Sequence, residues 1–129
     1  EMKCLSIVLL CFLLFSCDET ESKVGQKTTV EVDAKYDAGE VIQGEIINAK
    51  FTITNTGDYP LIIASANPSC SCTVPSFTDE PIAPGETGEI LAQVTTEKAA
   101  GVINKTVTLV ANTETPLAPL VITAVVKRK

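Results

Sequence analysis

The feature that most constrains the fold of this chain is the alternation of apolar and polar residues after residue 27. Within residues 47–54 every second residue is apolar, namely Ile47, Ala49, Phe51 and Ile53, and the residues between them are polar. Successive side chains of a β-strand point to opposite faces, so this pattern gives one apolar and one polar face. It predicts a strand with one face in a core and the other in solvent.

The same period of two, with many Val, Ile and Thr residues, recurs along the chain. It predicts seven strands, at residues 29–33, 45–55, 60–64, 70–74, 89–95, 105–111 and 120–126. The one helical candidate, residues 96–100, is about one turn long and is better read as a structured connection. Short strands at this spacing without covering helices predict an all-β fold, an immunoglobulin-like antiparallel β-sandwich over residues 27–129.

Turn residues separate the predicted strands. Residues 37–40 and 55–58 contain Gly with Asp or Asn, and the second of these predicts a hairpin that pairs the flanking strands antiparallel. Pro84 and Gly85 occupy the two central positions that a type II turn favours.

The N-terminal segment does not share this alternation. Lys3 precedes an apolar run of 11 residues from Leu5 to Phe15. A membrane-spanning helix needs about 20 apolar residues, so this run is too short to span and is typical of a secretory leader. We therefore expect residues 1–16 to be a signal peptide.

Cys17 follows this leader directly. Leu14-Phe15-Ser16-Cys17 resembles the lipobox of bacterial lipoproteins, in which the cysteine is lipidated and becomes the new N-terminus. The alternative is an ordinary leader in which Cys17 has no special role. Lipidation predicts a lipid anchor at Cys17, a flexible polar tether over residues 17–26, and a location in the cell envelope on the outer membrane, on its periplasmic or surface face.

Charge and residue inventory exclude several classes of function. The formal net charge is −6, and the basic cluster Lys127-Arg128-Lys129 is confined to the C-terminus, so a nucleic-acid partner is not expected. The chain contains no His, which excludes Ser-His and Cys-His nucleophile systems. We expect neither an enzyme nor a cofactor.

Cys70 and Cys72 are the one reactive pairing in the predicted domain. The favoured interpretation is two small thiols packed beneath the third strand, because cysteine is among the most buried residue types. If Pro68 and Ser69 bend the chain, the pair can instead close into an exchangeable disulfide. The third possibility is a site for a soft metal ion such as Cu(I), or half of a zinc site, with further ligands from elsewhere.

Three strings carry a resemblance to a known family, namely residues 51–63 (FTITNTGDYPLII), 69–73 (SCSCT) and 82–88 (IAPGETG). Together they resemble the bacterial lipoprotein family catalogued as domain of unknown function 1573, which usually has Gly where this chain has Ser71. The resemblance implies an immunoglobulin-like sandwich, similar to domains of Hydin and major sperm protein type. It implies no established reaction.

These observations lead to two hypotheses of function. The first is a membrane-anchored exported lipoprotein that acts as a non-enzymatic binding or envelope-assembly module, with a protein or glycan partner engaged through strand edges or loops. The alternative is a thiol redox or soft-metal-handling protein that uses Cys70 and Cys72.

Overall fold

A computed structural model describes residues 25–129, which fold into two packed β-sheets of four strands each. The strands are β1 Val30–Val32, β2 Lys35–Ile42, β3 Ile46–Asn55, β4 Ile63–Pro68, β5 Thr73–Phe77, β6 Thr87–Thr95, β7 Gly101–Ala111 and β8 Leu120–Lys127. One sheet has the order β1-β3-β6-β5 and the other the order β2-β8-β7-β4. The all-β prediction is confirmed, with eight strands in the described residues instead of seven.

The core lies between the two sheets and is made by the alternating residues. Ile47, Ala49, Phe51 and Ile53 of β3 are all buried, as the period of two predicts. The other large contributions come from β6, β7 and β8, through Ile90, Ala92, Val94, Val107, Leu109, Leu120, Ile122, Ala124 and Val126. Removal of these apolar surfaces from water is the main force that holds the sheets together.

The extra strand arises because the chain changes sheet between β1 and β2. β1 pairs antiparallel with β3, whereas β2 pairs parallel with β8. The turn predicted at residues 37–40 is wrong, because these residues lie inside β2. Gly39 has a φ of 67° and its amide donates to Asp37 Oδ1 at 2.8 Å, where the pairing with β8 shifts register. The turn residues therefore form a bulge in a strand.

The connection after β3 does not form the predicted hairpin. β3 and β4 belong to different sheets, so residues 55–58 carry the chain across the sandwich. Gly57 does not have a positive φ. A Cβ atom on Gly57 would lie 2.6 Å from the backbone nitrogen of Thr29, so glycine is needed here for a close approach of two backbone segments.

Two predicted connections are confirmed. Gly85 has a φ of 81° and the Glu86 amide donates to the Ala83 carbonyl at 3.0 Å, as the type II turn requires. Residues 96–100 form a single turn, closed by a bond from the Ala99 amide to the Thr96 carbonyl at 3.0 Å. The connection between β6 and β7 is thus structured without being a helix.

The sandwich has two ends, which we call top and bottom. At the top, Asn112 Nδ2 donates to the Gln26 carbonyl at 2.8 Å, and the Thr28 amide donates to the Asn112 carbonyl at 2.9 Å. The bottom contains the β2–β3 turn, the two cysteines and the connection at residues 96–100. Gln26 therefore lies at the top of the sandwich.

The predicted signal peptide, Cys17 and the tether up to residue 24 lie outside the described residues. Residues 25–129 contain no helix with the length and hydropathy needed to span a bilayer.

Candidate functional site

Cys70 and Cys72 are joined in a disulfide, with their Cα atoms 5.3 Å apart. Alternate residues of an extended strand lie about 6.6 to 7 Å apart, which is too far for most disulfides. The chain is not extended here: it turns, with the Thr73 amide donating to the Cys70 carbonyl at 3.3 Å, and β5 begins only at Thr73. The strand predicted at residues 70–74 is therefore displaced, and the expectation of two packed thiols is wrong.

Both sheets hold this turn in place. On one side the Ser69 amide donates to the Thr106 carbonyl of β7 at 2.8 Å, and the Thr106 amide donates to Ser69 Oγ at 3.1 Å. On the other side the Thr95 amide of β6 donates to the Cys72 carbonyl at 2.9 Å. The disulfide is thus positioned by backbone bonds to two neighbouring strands.

Thr73 places a buried hydroxyl beside both sulfur atoms. The residue is 2% exposed, and its Oγ1 lies 3.6 Å from Cys70 Sγ and 3.8 Å from Cys72 Sγ. A disulfide sulfur carries no hydrogen, so the hydroxyl is the donor in either contact. Sulfur in this form is a weak acceptor. Thr73 was not singled out from the sequence, because its contact depends on the turn.

The disulfide contributes little as a structural cross-link. It closes a loop with a sequence separation of 2. On the chain-entropy model, cross-linking three residues stabilises the fold by about 1.6 kcal/mol, compared with about 3 kcal/mol for a loop of 15 residues. The disulfide also lies beside an opening in the surface, because Cys72 lines it.

That opening is a depression of about 450 Å³ at the bottom of the sandwich. It exists because β4 pairs only with Val107–Ala111 of β7, which leaves the lower part of β7 uncovered by β4. The polar side chains that line it are Ser71, Cys72, Thr95, Glu97, Lys98 and Lys105.

Lys105 occupies an inward position of β7. It lies between Ile103 and Val107, which are both buried, and is itself half-buried at the mouth of the sandwich. A lysine in the apolar phase of an alternating strand is the sequence signal that could have identified it. With Lys98, it makes two basic residues in the lining of the depression against one acidic residue, Glu97.

Thr96 fixes the shape of the bottom. Its side chain is fully buried, its hydroxyl donates to the Glu45 carbonyl at 2.6 Å, and its Oγ1 accepts from the Gly44 amide at 3.0 Å. Nearby, Gln43 Nε2 donates to the Glu97 carbonyl at 3.0 Å. The β2–β3 turn is thus joined to the connection that lines the depression.

Exposed apolar side chains collect at the same end. Of the six large hydrophobic residues that are exposed within residues 25–129, five belong to the lower half of the sandwich, namely Ile42, Ile46, Val74, Val102 and Val125. Val110 lies in the upper half, on the part of β7 that pairs with β4.

The site offers no preformed metal centre in the described part of the chain. Residues 25–129 contain no group of three or more His, Cys, Asp or Glu side chains arranged to hold a metal ion.

The fold and the site together define a two-sheet β-sandwich domain with a disulfide-closed turn beside an open depression. A family described as "Protein of unknown function (DUF1573)" matches residues 28–126, and the chain belongs to this family. The match covers nearly the whole described domain. No curated protein matches the sequence significantly.

The fold is shared by many solved structures, including the following three. A protein of unknown function from Porphyromonas gingivalis W83 superposes with a TM-score of 0.69 at 21% identity, over 78% of this chain and 47% of that one. The VesB protease of Vibrio cholerae gives 0.60 at 15% identity, over 76% and 31%. The secreted serine protease VesC of Vibrio cholerae gives 0.54 at 11% identity, over 75% and 23%. The chain spans less than half the length of each, and at these identities the likeness concerns the fold alone.

Proposed function

We propose that this protein is an exported lipoprotein whose sandwich binds a protein partner through its bottom end, without catalysing a reaction. In this proposal residues 1–16 are removed, Cys17 carries the lipid, and residues 17–26 tether the domain to the outer membrane of the cell envelope. The leader, the lipobox-like string and the polar segment after it support the anchoring.

The distribution of exposed apolar side chains carries the binding proposal. The tether joins the domain at the top, whereas five of the six exposed large hydrophobics lie toward the bottom. Val102 is 81% exposed. Ile42, Val102 and Val125 lie on the sheet β2-β8-β7-β4, and Ile46 and Val74 lie on the other sheet. Exposed apolar groups on neighbouring strands of one sheet are typical of an interaction surface, and this end of the domain lies opposite Gln26.

The composition of this surface favours a protein over a glycan. Val102 and Val125 are register partners on neighbouring strands, and Ile42 lies on the next strand of the same sheet. Lys127 and Glu40 are the register partners of Ile42 and Val125, so their salt bridge of 3.1 Å lies between these two apolar residues. Exposed aliphatic side chains on neighbouring strands favour a protein partner, because the buried centres of protein interfaces are apolar.

The sheet edges are poor candidates for strand addition. β1 has only three residues, and β2 carries the bulge at Gly39. β4 shifts register between Ile63 and Ser65, and β5 has Pro75 at its centre. Short strands, bulges and proline are the devices by which proteins prevent edge pairing. Loops and the outer face at the bottom are the better binding elements.

We further infer that the sandwich is of immunoglobulin-like type. The order β1-β3-β6-β5 corresponds to the A-B-E-D sheet of that fold, and β8-β7-β4 corresponds to G-F-C. β2 then corresponds to a continuation of the first strand that crosses to the second sheet. Such domains serve many unrelated functions, so the fold by itself does not identify the partner.

Crosslinking on intact cells tests the binding proposal. The full chain, Val102→Ser and Val110→Ser would be produced in the native host, crosslinked and purified, and the recovered proteins quantified. We expect a reproducible partner with the full chain and with Val110→Ser, which alters an exposed valine at the opposite end. Loss of this partner with Val102→Ser supports the proposal; equal recovery with both variants contradicts it.

A second candidate function is thiol redox chemistry at Cys70 and Cys72. The observation that favours it is the disulfide itself, together with the position of Cys72 in the wall of the depression. Handling of a soft metal ion would first require reduction of this disulfide, because thiolates are the ligands. Redox exchange is therefore the better supported form of this candidate.

A further inference from the structure

We propose that the Cys70–Cys72 disulfide exchanges with acidic peptide thiols, with Cys72 as the attacked sulfur and Thr73 as the residue that stabilises the departing Cys70 thiolate. This inference rests on the second candidate function and specifies its chemistry.

Both cysteines are half-buried, and their positions relative to the depression distinguish them. Cys72 lines the depression, whereas Cys70 is not among the residues that line it. Thiol–disulfide exchange requires the incoming thiolate to reach one sulfur in line with the bond that breaks. An incoming thiolate in the depression therefore meets Cys72, and Cys70 becomes the leaving group.

Thr73 provides the stabilisation of that leaving group. Its buried hydroxyl is 3.6 Å from Cys70 Sγ, and Thr73 is held as the first residue of β5 by its pairing with Val94 of β6. The bond to a disulfide sulfur is weak, but a thiolate is a charged acceptor and forms a much stronger bond with the same donor. Thr73 thus acts as a catalytic residue whose contribution grows as the S–S bond breaks.

The reaction balances without any other reagent. A thiolate RS⁻ forms a new bond to Cys72 Sγ, and the electron pair of the Cys70–Cys72 bond leaves with Cys70 Sγ. A second RS⁻ then attacks the mixed disulfide at the sulfur of R, which gives RSSR and the Cys72 thiolate. The domain is reduced by two electrons, and two molecules of the thiol are oxidised to one disulfide.

The charges of the depression indicate the class of thiol. Lys98 and Lys105 outnumber the single acidic residue of the lining, Glu97, and the hydroxyls of Ser71 and Thr95 add hydrogen-bonding groups. Electropositive surroundings favour the attacking thiolate and attract carboxylate groups carried with it. Reduced glutathione, a peptide thiol with two carboxylates, is a suitable probe.

Mapping of the mixed disulfide tests the assignment. The full chain, purified in detergent, would react briefly with reduced glutathione and then with iodoacetamide, and its peptides would be analysed by mass spectrometry. We expect glutathione on Cys72 and the carbamidomethyl group on Cys70. The reverse pattern overturns the assignment alone. A disulfide that reacts neither with glutathione nor with 2-mercaptoethanol until the protein is denatured overturns the second candidate function itself.

Variants at Thr73 test its role. Thr73→Val removes the hydroxyl and keeps the shape, and we expect exchange to be about tenfold slower, since one hydrogen bond to a charged group is worth at least that factor. Thr73→Ser retains the hydroxyl and should restore most of the rate. Equal rates for a folded Thr73→Val and the unaltered chain overturn the role.

Lys105→Gln provides a measurement that does not depend on how well the Thr73 variants fold. We expect it to slow the reaction with glutathione several-fold at low salt and to slow the reaction with 2-mercaptoethanol much less, because that thiol carries no charge besides its thiolate. The same slowing with both thiols, or none with either, contradicts the preference for acidic thiols.

Discussion

Thr28 donates a hydrogen bond from Oγ1 to Asn55 Oδ1 at 2.7 Å, and neither residue is appreciably exposed. The side-chain nitrogen of Asn55, Nδ2, donates in turn to the backbone carbonyls of Tyr59 and Ile82, at 2.7 and 2.9 Å. Asn55 Oδ1 also accepts from the Gly57 amide at 3.1 Å. One side chain therefore joins the segment before β1, the β3–β4 connection and the loop before β6.

Replacement of Asn55 by Ala should be strongly destabilising. The change leaves buried donors and acceptors without partners, and we expect the free energy of unfolding to fall by about 3 kcal/mol. Urea denaturation followed by circular dichroism measures this. Asn48→Ala, on the exposed face of the same strand, is the matched control and should change stability by less than about 0.5 kcal/mol. A loss of stability in Asn55→Ala as small as that in Asn48→Ala would show that the network is unimportant.

Thr96 should be essential for the ordered structure of the β2–β3 turn at the bottom of the sandwich. Thr96→Val retains the shape but removes the bonds to the Glu45 carbonyl and the Gly44 amide, at a cost of about 1 to 3 kcal/mol. Hydrogen exchange at the Gly44 amide should become faster. Thr95→Val alters the exposed neighbouring threonine and serves as the control. Unchanged protection of Gly44 in Thr96→Val would refute this account.

The double replacement of Cys70 and Cys72 by Ser should have a modest effect on stability. The small loop predicts a loss of about 1.6 kcal/mol. Ile53→Ala, which removes a fully buried core side chain, should cost about 2 to 5 kcal/mol in the same urea experiment. A loss from the cysteine replacements larger than that from Ile53→Ala would mean that the disulfide is mainly structural.

Cys17 should determine attachment to the membrane. We expect Cys17→Ser to abolish incorporation of labelled palmitate and to move the protein from the membrane to the soluble fraction, because several acyl chains are needed for a lasting anchor. Cys11→Ser, within the apolar run of the leader, is the control and should still be lipidated. Labelling that persists in Cys17→Ser would exclude Cys17 as the lipidated residue.

The sequence by itself determined the β-class and most of the core. The alternation in β3, β6, β7 and β8 reflects a physical requirement of any strand with one wet and one dry face, so it can be recognised without knowledge of the partners of each strand. The Pro84-Gly85 turn is predictable for the same reason, because its backbone angles are a local property.

Only the tertiary structure decided how these strands pair and what surrounds the cysteines. Residues 37–40 contain turn residues but form a bulge, because β8 provides a parallel partner on which β2 continues. Gly57 is needed because Thr28 and Thr29 approach it from another part of the chain. Cys70 and Cys72 close into a disulfide because backbone bonds to β6 and β7 hold their turn. Each of these outcomes depends on contacts between residues distant in sequence, which a local pattern does not encode.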